Sequence, residues 1–187
     1  MKIPLTIIIT IAALIVVGLA TVFLGLYNVS AMNREGSLQT WLFKTAKNHS
    51  ITRRAADITV PPLGDSTQVA IGYMHYNEMC VTCHGGPGIE PSDIGQGLNP
   101  RAPELSGLVA KLSDAELYWI LKNGIKMTGM PAFGNTHTDE QLWDMVAFVR
   151  LLPEMSPERY QAFAERMGDD ESEEMMEMNE HHEHGHH

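Results

Sequence analysis

The sequence predicts an all-α fold preceded by a single membrane-spanning helix. Three observations carry this: a long uncharged apolar stretch at the N-terminus, apolar residues recurring at helical spacing between capping and turn signals, and no trustworthy strand alternation. A chain of 187 residues has room for one globular domain of ordinary size plus appendages. The expected division is a transmembrane anchor over 1–27, a membrane-proximal segment and Pro-rich linker over 28–64, the domain over 65–153, an additional helix over 154–167 and an acidic Met/His-rich tail over 168–187.

No charged residue occurs from Ile3 to Asn33. As a helix, Ile3 to Tyr27 would extend roughly 37 Å, against a hydrocarbon core of about 30 Å. Val29-Ser30-Ala31 has the small-residue look of a signal-peptide cleavage site. The apolar run nevertheless exceeds the ~7 to 15 residues usual in such peptides, which favours a retained anchor. Lys2 and the amino terminus precede the span, and Arg34 beyond it is offset by Glu35, so the bias of positive charge keeps the N-terminus cytoplasmic and exports the rest.

Ser37 to Asp57 mixes Leu38, Trp41, Leu42 and Ile51 with Lys44, Lys47, Arg53 and Arg54. It reads equally as a helix near the membrane surface or as a solvated connector. Val60-Pro61-Pro62-Leu63-Gly64 then gives a stiff extended step.

Asp65 or Ser66 caps a helix running towards Cys83, with Val69, Gly72, Tyr73, Tyr76 and Cys80 at helical spacing. The segment from His84 to Pro103, with five Gly and four Pro residues, is too broken for a regular element and too long for a turn. Something besides backbone pairing is expected to organise it. Ser113 and Glu116 form a capping box, with Leu112 and Leu117 placed as a hydrophobic staple, and Asn123-Gly124 ends that helix. Thr138 and Gln141 open the clearest amphipathic helix, whose Leu142, Met145, Val146, Val149 and Leu152 share a face before Pro153. Ser156-Pro157 starts a last helix carrying Tyr160, Phe163 and Met167.

The formal charge of -10 is concentrated at the C-terminus, where 168–187 holds eight acidic residues and no basic one. With no basic patch on the domain, a nucleic-acid partner is excluded. Met175, Met176, Met178 and the five His from His181 to His187 make the tail a disordered segment expected to bind copper, nickel or zinc weakly.

Cys80-Val81-Thr82-Cys83-His84 carries the chemistry. This is the attachment sequence for haem c: two thiols, i and i+3 on the last turn of a helix, add to the porphyrin vinyl groups and the next imidazole takes the iron. A zinc site would need four ligands where two Cys exist. A thiol-disulfide oxidoreductase would need a βαβ context, and a structural disulfide would leave His84 without a purpose.

On these residues the sequence resembles the class I c-type cytochromes, over roughly Ser66 to Pro153. Gly72, Tyr76 and Cys80 repeat as in the family's first helix, with Met145, Ala147 and Phe148 as partner positions on its last. Cys83-His84-Gly85 resembles the opening of the haem loop, Arg101 to Gly107 its Pro-x-Leu-x-Gly segment, and Gly129-Met130-Pro131-Ala132-Phe133 its ligand loop. The resemblance implies helices around one covalently bound haem, His84 and Met130 as axial iron ligands, and the Pro103 carbonyl accepting a hydrogen bond from His84. Met127 lies in the same loop, at a position where the family has no fixed ligand.

The resulting expectation is a monohaem cytochrome anchored in the bacterial inner membrane with its haem domain in the periplasm. It would pass single electrons to redox protein partners, as a carrier or as the cytochrome subunit of a respiratory or dehydrogenase complex, and is not itself an enzyme. Lys122 and Lys126 are candidate docking cations. A haem enzyme or a gas or redox sensor with a displaceable sixth ligand is the alternative.

Overall fold

The computed structural model describes residues 4–33 and 36–167. Lys2, Arg34 and Glu35, which set the expected orientation, and the tail over 168–187 with its expected metal affinity lie outside them. The chain divides into two compact units, Met1–Glu35 and the chain from Gly36 onward.

The first unit holds α1 (Leu5–Phe23), 19 residues long and apolar enough to cross a membrane by length and composition. It ends earlier than the apolar run because Gly25 adopts φ 66°, the left-handed conformation that closes a helix C-terminus.

The second unit contains α2 (Ser37–Ala55), α3 (Ser66–His75), α4 (Val81–His84), α5 (Asp93–Gln96), α6 (Leu105–Val109), α7 (Asp114–Asn123), α8 (Asp139–Val149) and a last helix, α9, over 157–167. No strand occurs among the described residues, only an isolated bridge between Gly86 and Ile89.

Local chemistry sets most of the ends. Asp65 accepts from the Gln68 backbone N–H to start α3. Both capping boxes close reciprocally, Ser113 with Glu116 on α7 and Thr138 with Gln141 on α8. Gly124, at φ 63°, ends α7.

The core is the crossing of α3 and α8. A β-carbon on Gly72 would lie 2.0 Å from the Asp144 carbonyl oxygen and 2.9 Å from the Phe148 Cβ, so only Gly admits this approach. Tyr73, Tyr76, Met145 and Phe148 are buried around it. α9 extends this core: its Tyr160 and Phe163 meet the Tyr73 ring edge-on, at centroid distances of 6.1 and 5.2 Å.

Arg150, at the end of α8, fastens the other side. Its Nη1 donates to the Val109 carbonyl at 2.7 Å and its Nη2 to the Leu112 carbonyl at 2.6 Å, while Nε pairs with Asp114.

Two elements depart from the sequence reading. The helix towards Cys83 is not uniform: Tyr76–Cys80 is a π turn, with the Val81 N–H reaching back to the Tyr76 carbonyl. Such single-turn bulges recur at functional sites. The Gly/Pro-rich segment also has backbone organisation of its own. Ser92 caps α5, its N–H and hydroxyl both donate to the Thr82 carbonyl, and the Tyr76 hydroxyl donates to the Gly85 carbonyl at 2.6 Å.

Helix α2 is docked on the domain. Its Ile51 and Ala55 are buried, and it packs against α7.

Candidate functional site

The π turn and α4 bring Cys80 and Cys83 to the wall of an apolar cavity of about 310 Å³. No disulfide joins the two sulfurs. As a thiol, Cys80 is pushed up to about 12 by burial and then by the neighbouring Cys83.

His84 lies on the same wall. Its Nδ1 is 2.8 Å from the Pro103 carbonyl oxygen. A carbonyl only accepts, so the proton sits on Nδ1 and the Nε2 lone pair is free for a metal. Burial lowers the His84 pKa, opposed by this backbone bond, and favours the neutral imidazole that a metal requires.

Met130 lines the same cavity and is partly buried. Its N–H donates to the Thr128 hydroxyl at 3.1 Å, and its carbonyl accepts from the Ile125 N–H at 3.2 Å, which pins the loop. Met127 is 78% exposed with φ 59° and does not line the cavity. The five residues singled out in the sequence (Cys80, Cys83, His84, Pro103 and Met130) therefore meet in one place.

The remaining wall is largely aliphatic: Leu98, Leu105 and Leu108, Leu112 before α7, Leu117, Ile120 and Leu121 on α7, and Val146 and Val149 on α8. Lys47, Asn48 and Ile51 of α2 complete it with Arg101. No acidic residue lines it among those described. A broader and more polar recess of about 740 Å³ shares His84, Arg101, Ala102 and Leu105 with it. The apolar lining and both thiols, rather than size, make the smaller cavity the one that suits a porphyrin.

The donor set fits haem c: two thiols one helical turn apart, a neutral imidazole and a thioether facing one apolar space. Among the described residues no cluster of three or more His, Cys, Asp or Glu is placed to hold a separate metal ion.

Sequence reasoning did not find the contribution of α2. Its only signals were Ile51 and Ala55, four residues apart on one face. Nor is Lys122 a free cation: its Nζ lies 2.6 Å from Asp139 Oδ1 and 3.0 Å from the Tyr118 hydroxyl. Lys126 remains exposed.

Residues 67–149 match the family described as cytochrome c oxidase, cbb3-type, subunit III. A solved structure, the c-type cytochrome XoxG from Methylobacterium extorquens AM1, is 28% identical, with 48% of this chain and 52% of that one covered and a TM-score of 0.37. The match thus spans about half the length of each. No curated protein matches. The helical unit around Cys80, Cys83 and His84, over 67–149, is a class I c-type cytochrome domain, an electron-transfer module that carries haem c through covalent bonds.

Proposed function

We propose that the protein is a membrane-anchored monohaem cytochrome whose iron is held by His84 and Met130 and whose haem domain works on the periplasmic side of a bacterial inner membrane. The observation that carries this reading is the convergence of both thiols, the His84 imidazole and the Met130 thioether on one apolar cavity. When bound, haem supplies a one-electron ferric/ferrous couple.

The chain's own residues hold and tune that couple. Cys80 and Cys83 fix the macrocycle. Pro103 orients His84 and, by accepting from Nδ1, increases the basicity of the ring. The aliphatic wall excludes water, which disfavours the more highly charged ferric state. His84 and Met130 would together hold the iron, and a site so closed would suit electron exchange rather than substrate binding, which makes the protein a carrier or complex subunit rather than an enzyme.

The apolar helix α1 supports the anchor. The matched family's description as an oxidase subunit supports a place in a membrane complex over free diffusion.

The test is a potentiometric titration of the full chain purified from membranes, followed by exposure of the ferrous form to carbon monoxide. The expected result is a single one-electron wave with an unchanged ferrous spectrum. Rapid formation of a carbon monoxide adduct would instead favour the sensor or haem-enzyme reading.

A further inference from the structure

Helix α2 lies outside the segment that matches the family, yet it forms part of the cofactor cavity. Lys47, Asn48 and Ile51 fall on one face, at i, i+1 and i+4. The helix is held by the buried side chains of Ile51 and Ala55 and by the Thr52 hydroxyl, which donates to Glu116 on α7 at 2.6 Å. Lys47 is therefore carried on a docked element, where it lines the cavity and is exposed as a residue, an arrangement that suits a long side chain with an apolar stem and a charged tip.

The charge pattern of the cavity points to what this ammonium group meets. Apart from His84, its charged lining residues are Lys47 and Arg101, both cationic. A haem is an apolar disc bearing two carboxylates. A carboxylate at the edge of an apolar cavity is stabilised only where a counter-charge or water reaches it.

We infer that α2 is a dedicated wall of the haem crevice and that its Lys47 pairs with a haem propionate, raising the reduction potential of the iron. The inference rests on haem occupying this cavity. A cation beside a propionate offsets the negative charge that otherwise favours ferric iron. It also holds the carboxyl group ionised to lower pH.

The test uses full-length protein with Lys47→Gln, Lys47→Arg and, as a control, Lys44→Gln. Lys44 lies on the same helix and lines neither cavity. Pyridine haemochrome analysis first establishes one haem per chain, and a wild-type chain without haem would overturn the site itself. With haem present, Lys47→Gln should lower the midpoint potential, shifting the ratio of reduced to oxidised protein at fixed potential about threefold, the scale of an ion pair at a cleft mouth. It should also move the region where the midpoint falls with pH to higher pH. Lys47→Arg should restore both, and Lys44→Gln should change neither. Equal shifts in Lys44→Gln and Lys47→Gln would reveal a long-range field and overturn the pairing. An unchanged midpoint and pH profile in Lys47→Gln would overturn it as well.

Discussion

The carboxylate of Glu116 is shared between Thr52 and the cap of its own helix: Oε1 accepts from the Thr52 hydroxyl at 2.6 Å, while Oε2 accepts from the Ser113 N–H at 2.9 Å. One side chain thus fastens α2 and starts α7. Thr52→Val should cost about 0.5–1.5 kcal/mol, the net worth of a hydrogen bond. Ile51→Ala should cost about 2–5 kcal/mol, or release α2 if docking is weaker than that. Both are read by thermal unfolding. The Thr52 bond is the first cause holding the Glu116 pKa below its ordinary 4.5, so this contribution is present above pH 4.5 and lost as pH falls through the depressed value. Thr52→Val should flatten that part of the acid profile.

Gly72→Ala places a methyl group against the Asp144 backbone, which cannot move aside as a flexible side chain would. The expected loss is about 3 kcal/mol, the upper end for overpacking. It is measured as a lowered melting temperature, and an unchanged one would mean that α3 and α8 part without cost.

Met130→Ala should remove the near-infrared sulfur-to-iron charge-transfer band and open the iron to added ligands, whereas Met130→His should lower the potential while keeping six-coordination. Met127→Ala should do neither. The reverse pattern would transfer the axial role to Met127 and require its loop to turn inward.

The pKa of His75 is lowered first by burial and then by His137, against smaller opposing effects of Glu78 and Asp144. The unfolded chain therefore binds a proton near pH 6.5 that the folded domain refuses. Stability falls as pH drops through that value towards the lower folded one. His75→Gln should reduce this acid sensitivity in denaturant titrations between pH 7 and 5, whereas an unaltered slope would place its source elsewhere.

Replacing 1–27 by a cleavable export signal should yield a soluble, haem-loaded protein. Continued sedimentation with membranes would show a second point of attachment.

What could be read from the sequence is what depends on near neighbours. The Ser113/Glu116 and Thr138/Gln141 boxes, the turn at Gly124 and the contiguous Cys80 to His84 run each act within a few residues. Arg150 shows the opposite case. Its carbonyl partners Val109 and Leu112 lie 41 and 38 residues away, a pairing that no local pattern announces. The π turn at Tyr76–Cys80 was equally hidden, because a helix with one extra residue in a turn has the same composition as one without. The docking of α2 left only Ile51 and Ala55 as a trace, among residues polar enough for a free helix. Lys122 looked available until Asp139, 17 residues on, was brought beside it.

The two thiols at Cys80 and Cys83 have a consequence for how the domain endures. A cofactor held reversibly stabilises its protein by mass action, so the benefit shrinks as free ligand is diluted away. Thioether linkage at these positions would make the ligand part of the chain: the aliphatic wall would stay covered at any dilution, and unfolding and refolding would proceed with the same partner still in place.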